Sequence, residues 1–242
     1  MKKITQALIM AGGHGSRMSK ELNPYGCKSL IEYKGQSMIG YLLDSLLEAG
    51  VQEIIIATNI HSHNAIKDIV DKKEIPNTIV IVADGKSVVG IPEYNGVPYE
   101  LKYLLNERFL MVCGHHPVSV SHITNLIHQS ATYKNVLSAY SNVLFTMDKM
   151  KRLILTGSQL QYVNLENDTV ADDHLYARNP YILERKILDS IHNDNYRETF
   201  SYYIFKQSEM KKNTLGIAIA DMPPEFDYDA EYVKVQHFLD TK

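Results

Sequence analysis

Short apolar runs alternate with amphipathic stretches along the first half of this chain, and that alternation predicts its elements. Ala7–Ala11 is an apolar run of strand length that breaks at Gly12-Gly13. Met38–Ala49 repeats apolar residues at Ile39, Leu42, Leu43, Leu46 and Leu47, which is one face of a helix, and Gly50 supplies its stop. Glu53–Thr58 is a β-branched run of parallel-strand character. Ser62–Lys72 has helical spacing through Ala65, Ile66, Ile69 and Val70, and Thr78–Val82 reads as another buried strand. Strand, helix, strand, helix, strand in that order predicts a parallel sheet with right-handed crossovers.

The second half is less regular. Asp84–Pro98 reads as a loop, because it holds three glycines and two prolines, and Tyr99–Asn106 reads as a helix. Arg108–Cys113 is a strand that stops at Gly114-His115-His116-Pro117, and Val120–Ser130 is a helix. Asn135–Thr146, Arg152–Leu155 and Gln159–Leu165 read as strands that extend the sheet with some antiparallel pairing. Pro180–Ile191 reads as a helix through Ile182, Leu183, Ile187, Leu188 and Ile191, and Tyr196–Lys206 as a second helix rich in aromatics. Thr214–Ala220 is a strand, and Phe226–Leu239 closes the pattern as a loop into a helix. No repeat, low-complexity segment or linker interrupts the order, which predicts an α/β fold in one domain over 1–242.

Composition narrows the classes. With 45% apolar and 22% charged residues, the 242-residue chain has the make-up of a soluble globular protein with a sizeable core. The formal net charge of −3 gives no general attraction to nucleic acid. Two cysteines, Cys27 and Cys113, make no disulfide framework and suit a reducing cytoplasm. No apolar run approaches a membrane span, and MKKITQALIMAGG reads as a first strand rather than a signal peptide.

The stretch with candidate chemistry is 7–28. Gly12, Gly13 and Gly15 follow the first strand, then Ser16 and Arg17, with Lys28 further on. Glycines let a polyanion approach the backbone, whose successive N–H groups can point into one concavity. Arg17 can grip phosphate as a planar fork and Lys28 as a point charge. The reading is a phosphate cradle at the C-terminal end of a strand, where open α/β sheets bind ligands. The blander reading of the same residues is a tight turn beside a surface arginine. No Gly-Lys-Ser/Thr closes the loop as in a Walker A sequence, and the dinucleotide spacing G-x-G-x-x-G is missing. His61-Ser62-His63 and Cys113 with His115 and His116 lack the spacing of a specific zinc site.

Residues 7–59 resemble the N-terminal signature of the sugar-phosphate nucleotidyltransferases. The match runs through Ala11-Gly12-Gly13-His14-Gly15-Ser16-Arg17-Met18, then Cys27-Lys28-Ser29-Leu30-Ile31, Gly35-Gln36-Ser37-Met38-Ile39-Gly40-Tyr41 and Ala49-Gly50-Val51. Cys27 stands where that family has a proline before the lysine, and the arginine-to-lysine spacing is one residue longer. The resemblance implies a three-layer α/β/α fold with a Rossmann-like, mostly parallel sheet of the nucleotidyltransferase (GT-A-like) type. It implies a nucleotide-binding N-terminal half, an acceptor-binding C-terminal half, and transfer of a nucleotidyl group from a nucleoside triphosphate to a sugar 1-phosphate or related monoester, such as an alditol phosphate. Arg17 and Lys28 would be catalytic. Ala11, Gly12, Gly13, Gly15, Ser16 and Gly96 would bind the nucleotide, although Gly96-Val97-Pro98 lacks the family's threonine. Asn179-Pro180 resembles a stretch that starts a helix beside the sugar, with Arg178 either near its phosphate or merely on the surface.

The family binds Mg²⁺ through an aspartate after a glycine, and this chain has Gly114-His115 there. His115 would suit Mn²⁺, Zn²⁺ or Co²⁺ better than Mg²⁺. A second metal aspartate would be Asp227 or Asp229, the latter equally suited to capping a helix. Three possibilities stay open: a softer metal at His115, a replacement carboxylate elsewhere, or a relative that binds or senses a nucleotide without turning it over. A glycosyltransferase sharing the fold fits less well, for lack of an Asp-x-Asp after a middle strand. The base, the acceptor and the oligomeric state, a homo-oligomer included, are left open.

Overall fold

The structure is a computed structural model that describes residues 3–86, 93–140, 151–156, 159–164, 175–189, 215–220 and 229–241. The first half forms as its pattern dictates. Strand β1 (Gln6–Met10) is followed by the small hairpin β2 (Glu32–Tyr33) and β3 (Gln36–Ser37), then helix α1 (Met38–Glu48). Ser37 caps α1 by accepting a hydrogen bond from Gly40 N, and Gly50 after it has φ +86°. Strand β4 (Glu53–Thr58), helix α2 (His63–Lys72) and strand β5 (Thr78–Val82) complete the crossovers.

Next come α3 (Glu93–Glu100), β6 (Arg108–Cys113), α4 (Val120–Gln129), β7 (Asn135–Tyr140), β8 (Lys151–Thr156), β9 (Gln159–Asn164), β10 (Leu175–Glu184), β11 (Leu215–Ala220) and α5 (Asp229–Asp240). Among the described residues the main sheet runs β11-β7-β10-β6-β1-β4-β5, and the β8-β9 hairpin attaches to β10. Its pairs are parallel except those of β10, which is antiparallel to β6, β7 and β8, and the β8-β9 pair.

Period-two alternation sends the two sides of each strand to different layers. Ala7, Ile9, Ile54, Ile56, Leu110 and Val112 pack with Leu42, Leu43 and Leu46 of α1, Ile66 and Val70 of α2, and Ile123 and Leu126 of α4. Leu8, Met10, Ile55, Ala57, Phe109 and Met111 pack on the other side with Val97 of α3, Leu101, Ile187 and Leu188. The outcome is the expected three-layer α/β/α architecture around a mostly parallel sheet.

Three expected elements differ. Pro180 to Leu183 belong to strand β10 and helical residues begin only at Ile187, so the first part of the helix expected over Pro180–Ile191, and the helix start expected at Asn179-Pro180, are corrected. Tyr181, Ile182 and Leu183 are buried in mid-sheet between β6 and β7. A strand covered on both faces shows a continuous apolar run that periodicity cannot separate from a buried helix. Pro180 is tolerated because it sits in a register shift between Arg178 and Tyr181, after a cis Asn179-Pro180 bond. The second correction is α3, which starts inside the expected loop and runs through Pro98, with a short 3₁₀ turn, Lys102–Leu104, where the helix was expected. The third is β5, which lies at the sheet edge with Ile79 and Val82 exposed. The expected helix Tyr196–Lys206 lies outside the described residues.

Candidate functional site

Strand order reverses at β1: β4 and β5 lie on one side of it, β6 on the other. Such a reversal opens a crevice at the C-terminal ends of the strands. Met10 is paired with both Ala57 and Cys113, so three chain exits lie side by side. From β1 comes Ala11–Arg17, from β4 comes Asn59, and from β6 comes Gly114-His115. Backbone bonds continue the ladder into the exits, with Ala11 N on Ala57 O at 2.8 Å and Gly114 N on Met10 O at 2.9 Å.

The loop after β1 is held by its carbonyls. Asn59 Nδ2 donates to Gly12 O at 3.0 Å, while its Oδ1 accepts from His61 N and Ser62 N, both at 2.9 Å. Asn23 Nδ2 donates to His14 O and Gly15 O, each at 3.3 Å. Cys27 Sγ lies 3.3 Å from Ala11 O as a donor. Gly15 has φ +58°, and a Cβ there would lie 2.6 Å from Asn23 Nδ2 and 2.8 Å from Lys28 Cγ. Both the backbone conformation and the close approach therefore require glycine. Lys28 opens a 3₁₀ turn, Lys28–Leu30, and is only 8% exposed, whereas Ser16 and Arg17 are exposed.

A cleft of about 270 Å³ opens beside this loop. Gly12, Gly13, His14 and His115 line it together with Asn59, and Ala57, Ala83 and Val97 add an apolar wall. Asp84 and Lys86 also line it, paired at 3.4 Å, and the backbone N–H of Lys86 holds the Asp84 carboxyl below its ordinary range. Gly96 supports the wall from behind. A Cβ on it would meet Gly85 O at 2.5 Å, so its place in α3 depends on close contact with that backbone. A Cβ on Gly114 would meet Ser29 Oγ at 2.7 Å and Ala11 Cβ at 3.0 Å, which keeps the β1 and β6 exits packed.

His115 and His116 behave differently. Their rings meet edge-on at 4.5 Å, but only His115 lines the cleft. His116 is buried, and its Nδ1 lies 3.1 Å from Asn179 Oδ1, which also accepts from Cys113 N at 3.1 Å. His116 therefore donates from Nδ1 and fixes β10 to the end of β6. Asp229, the first residue of α5, accepts from Ser19 N at 3.0 Å through its carboxylate. Asp227 lies outside the described residues. Among the described residues there is no group of three or more His, Cys, Asp and Glu side chains that could hold a metal ion.

Of the residues singled out in the sequence, Gly12, Gly13 and His115 line this cleft, whereas Ala11, Gly15 and Lys28 sit in the adjoining loop and turn, Ser16 and Arg17 are exposed, and Gly96 lies behind the cleft wall. Asn23 and Asn59 are missed by sequence reasoning. The only sequence signal for Asn59 is its place directly after a strand end.

A sheet with its crevice at the strand reversal and a glycine loop at the first strand end has the arrangement by which open α/β proteins bind ligands. The chain belongs to the MobA-like NTP transferase domain family, whose model matches residues 7–140. Among curated proteins none matches the sequence. The fold is shared by the 4-diphosphocytidyl-2C-methyl-D-erythritol synthase of Anaerococcus prevotii DSM 20548, at 16% identity and TM-score 0.69 over 98% of this chain and 96% of that one. The inositol-1-phosphate CTP transferase of T. maritima aligns at 11% identity and TM-score 0.69, again over 98% and 96%. Rv0371c of Mycobacterium tuberculosis H37Rv, solved as a complex with manganese, aligns at 14% identity and TM-score 0.59 over 98% and 99%. Among the described residues no helix is long and apolar enough to cross a membrane.

Proposed function

We propose that this chain transfers a nucleotidyl group from a nucleoside triphosphate to a sugar 1-phosphate or related phosphate monoester. The observation that carries the reading is the Ala11–Gly15 loop, whose carbonyls at Ala11, Gly12, His14 and Gly15 are all taken by protein donors. Loop N–H groups would then be the side offered to an anion, with the Lys28 stem packed beside Gly15. An oxygen of the acceptor phosphate attacks the α-phosphorus, the bond to the bridging oxygen breaks, and pyrophosphate leaves. No side-chain nucleophile is needed, so the protein's work is to hold two anions and offset charge on the group in flight. Arg17, Ser16 and the loop bind the triphosphate, and Lys28 stabilises the transferring group. The base lies toward Val97 and Gly96 in the same domain, which spans 1–242. A phosphorylated polyol as acceptor is supported by the name of the inositol-1-phosphate CTP transferase that shares the fold.

Divalent metal is expected from the family resemblance, with Asp227, Asp229 and His115 as the residues in question. Manganese in Rv0371c supports testing Mn²⁺ beside Mg²⁺. His115 in place of a carboxylate also favours a second reading, a relative that binds a nucleotide without turning it over.

The test is pyrophosphate release from CTP, GTP, ATP and UTP against sugar 1-phosphates and alditol phosphates, with Mg²⁺ or Mn²⁺. Release that depends on one pair of substrates is the expected result. No release, but a melting temperature raised by a triphosphate, would favour the binding relative, and His115→Asp should then create Mg²⁺-dependent turnover. Neither release nor a shift would overturn both readings.

A further inference from the structure

We propose that Asn23 is a positioning residue that sets the gap between the glycine loop and Lys28, an inference that rests on the triphosphate-binding reading above. Its buried amide joins three points. Nδ2 donates to His14 O and Gly15 O at 3.3 Å, and Oδ1 accepts from Cys27 N at 2.7 Å. Cys27 immediately precedes Lys28, so one planar group ties the loop backbone to the lysine backbone. Cys27 supplies a second tie through Sγ to Ala11 O at 3.3 Å. Residue 27 has φ −146°, far from the −65° or so that proline imposes, and its N–H is in use. This explains physically why a cysteine stands there and a proline does not.

Gly15 gives the independent measure of how close the parts sit. The Cβ it lacks would lie within 3 Å of both the Asn23 amide and the Lys28 stem. The amide also turns two loop carbonyls into the protein, and a peptide unit that turns its C=O inward turns its N–H outward. Without Asn23 the His14 and Gly15 carbonyls would compete for the same cavity as the phosphate oxygens, and Lys28 would lose its register. Asn23 touches no substrate in this scheme. It acts through the loop and the lysine.

The probe is inorganic tripolyphosphate, which asks about the cradle without the base. Its affinity is measured by calorimetry at 20 °C for wild type, Asn23→Ala and Asn23→Ser, with thermal melts to establish that each is folded. Asn23→Ala should weaken binding about tenfold or more, the scale of one to two lost hydrogen bonds, and Asn23→Ser should fall between it and wild type. In turnover, KM for the nucleoside triphosphate should rise while KM for the acceptor stays unchanged. A purely structural asparagine would lower the melting temperature and leave the affinity of the folded protein unaltered, and that result would overturn the proposal. If Asn23→Ala does not fold, Asn23→Ser decides by the same criterion. Wild type that binds neither tripolyphosphate nor any nucleoside triphosphate would overturn the nucleotide reading together with this one. Wild-type binding with unweakened variants would overturn this one alone.

Discussion

Lys28 shows how far a single residue can be judged here. Its side chain is buried in a turn, and its stem packs against Gly15 of the glycine loop. If it offsets charge on the transferring phosphate, Lys28→Met should lower kcat roughly 10²-fold, about 3 kcal/mol of transition-state stabilisation. The measurement is steady-state pyrophosphate release, and an unchanged kcat would remove Lys28 from the reaction. Gly15→Ala tests the loop itself. The added Cβ would press on an amide already held by three hydrogen bonds and would occupy a left-handed backbone that costs about 1 kcal/mol for alanine. Urea unfolding should register that loss, and calorimetry should register weaker tripolyphosphate binding.

At the scale of elements, α5 is what fastens the signature region in place. Its residues Tyr232, Val235 and Leu239 lie on one face and pack with Met18, Ile31 and Met38. Asp229 accepts from Ser19 N, Tyr232 OH donates to Glu32 O, and Asp240 pairs with Lys34 and Tyr33. The Asp240 carboxyl is held below its ordinary range, chiefly by its hydrogen bond with Lys34, but this contact is exposed and carries little stability. The buried tyrosine matters more. Tyr232→Ala should cost about 3 kcal/mol in urea unfolding, because it empties a packed site and leaves the Glu32 carbonyl without its partner. A cost under 0.5 kcal/mol would show that α5 is not an integral part of the fold. Helix α3 contributes differently. Gly96→Ala should push α3 off the Gly85 backbone and shift Val97, weakening nucleoside triphosphate binding more than tripolyphosphate binding in paired titrations.

The molecule as a whole is joined across its sheet by a buried polar network. Ser138 Oγ donates to Pro180 O at 2.6 Å, so it can only accept from His122 Nε2, 2.8 Å away. Tyr140 OH donates to Asn179 O at 2.9 Å, and Asn179 in turn holds His116 and Cys113 N. The direction of the Ser138 bond rules out His122 as a base that activates that serine. His122 is neutral and protonated on Nε2, and burial lowers its pKa to about 4. The unfolded chain, near 6.5, therefore takes up a proton first as pH falls. Stability from neutral His122 is complete above about pH 6.5 and is lost toward pH 4. Between pH 7 and pH 5 it amounts to about 2 kcal/mol. Urea unfolding at the two pH values should show that drop in wild type. His122→Gln, which retains a donor to Ser138, should reduce it by about the same amount.

The sequence by itself determined the local features. Periodicity set β1, α1, β4, α2, β5, β6 and α4 close to their observed bounds, because a helix or strand face is written in spacings of a few residues. The glycine loop was legible for the same reason, since glycines at a strand end specify a backbone rather than a partner. The resemblance carried by residues 7–59 agrees with the family to which the chain belongs. Position within the sheet was not legible. Strand β10 looks helical in sequence because both its faces are covered, and β5 looks buried although it lies at an edge. Asn59, which reaches Gly12 from 47 positions away, gave no local sign of that bond. Which strand ends become neighbours depends on the whole chain's topology, and only the tertiary structure decided that Asn23 and Asn59 would brace the loop.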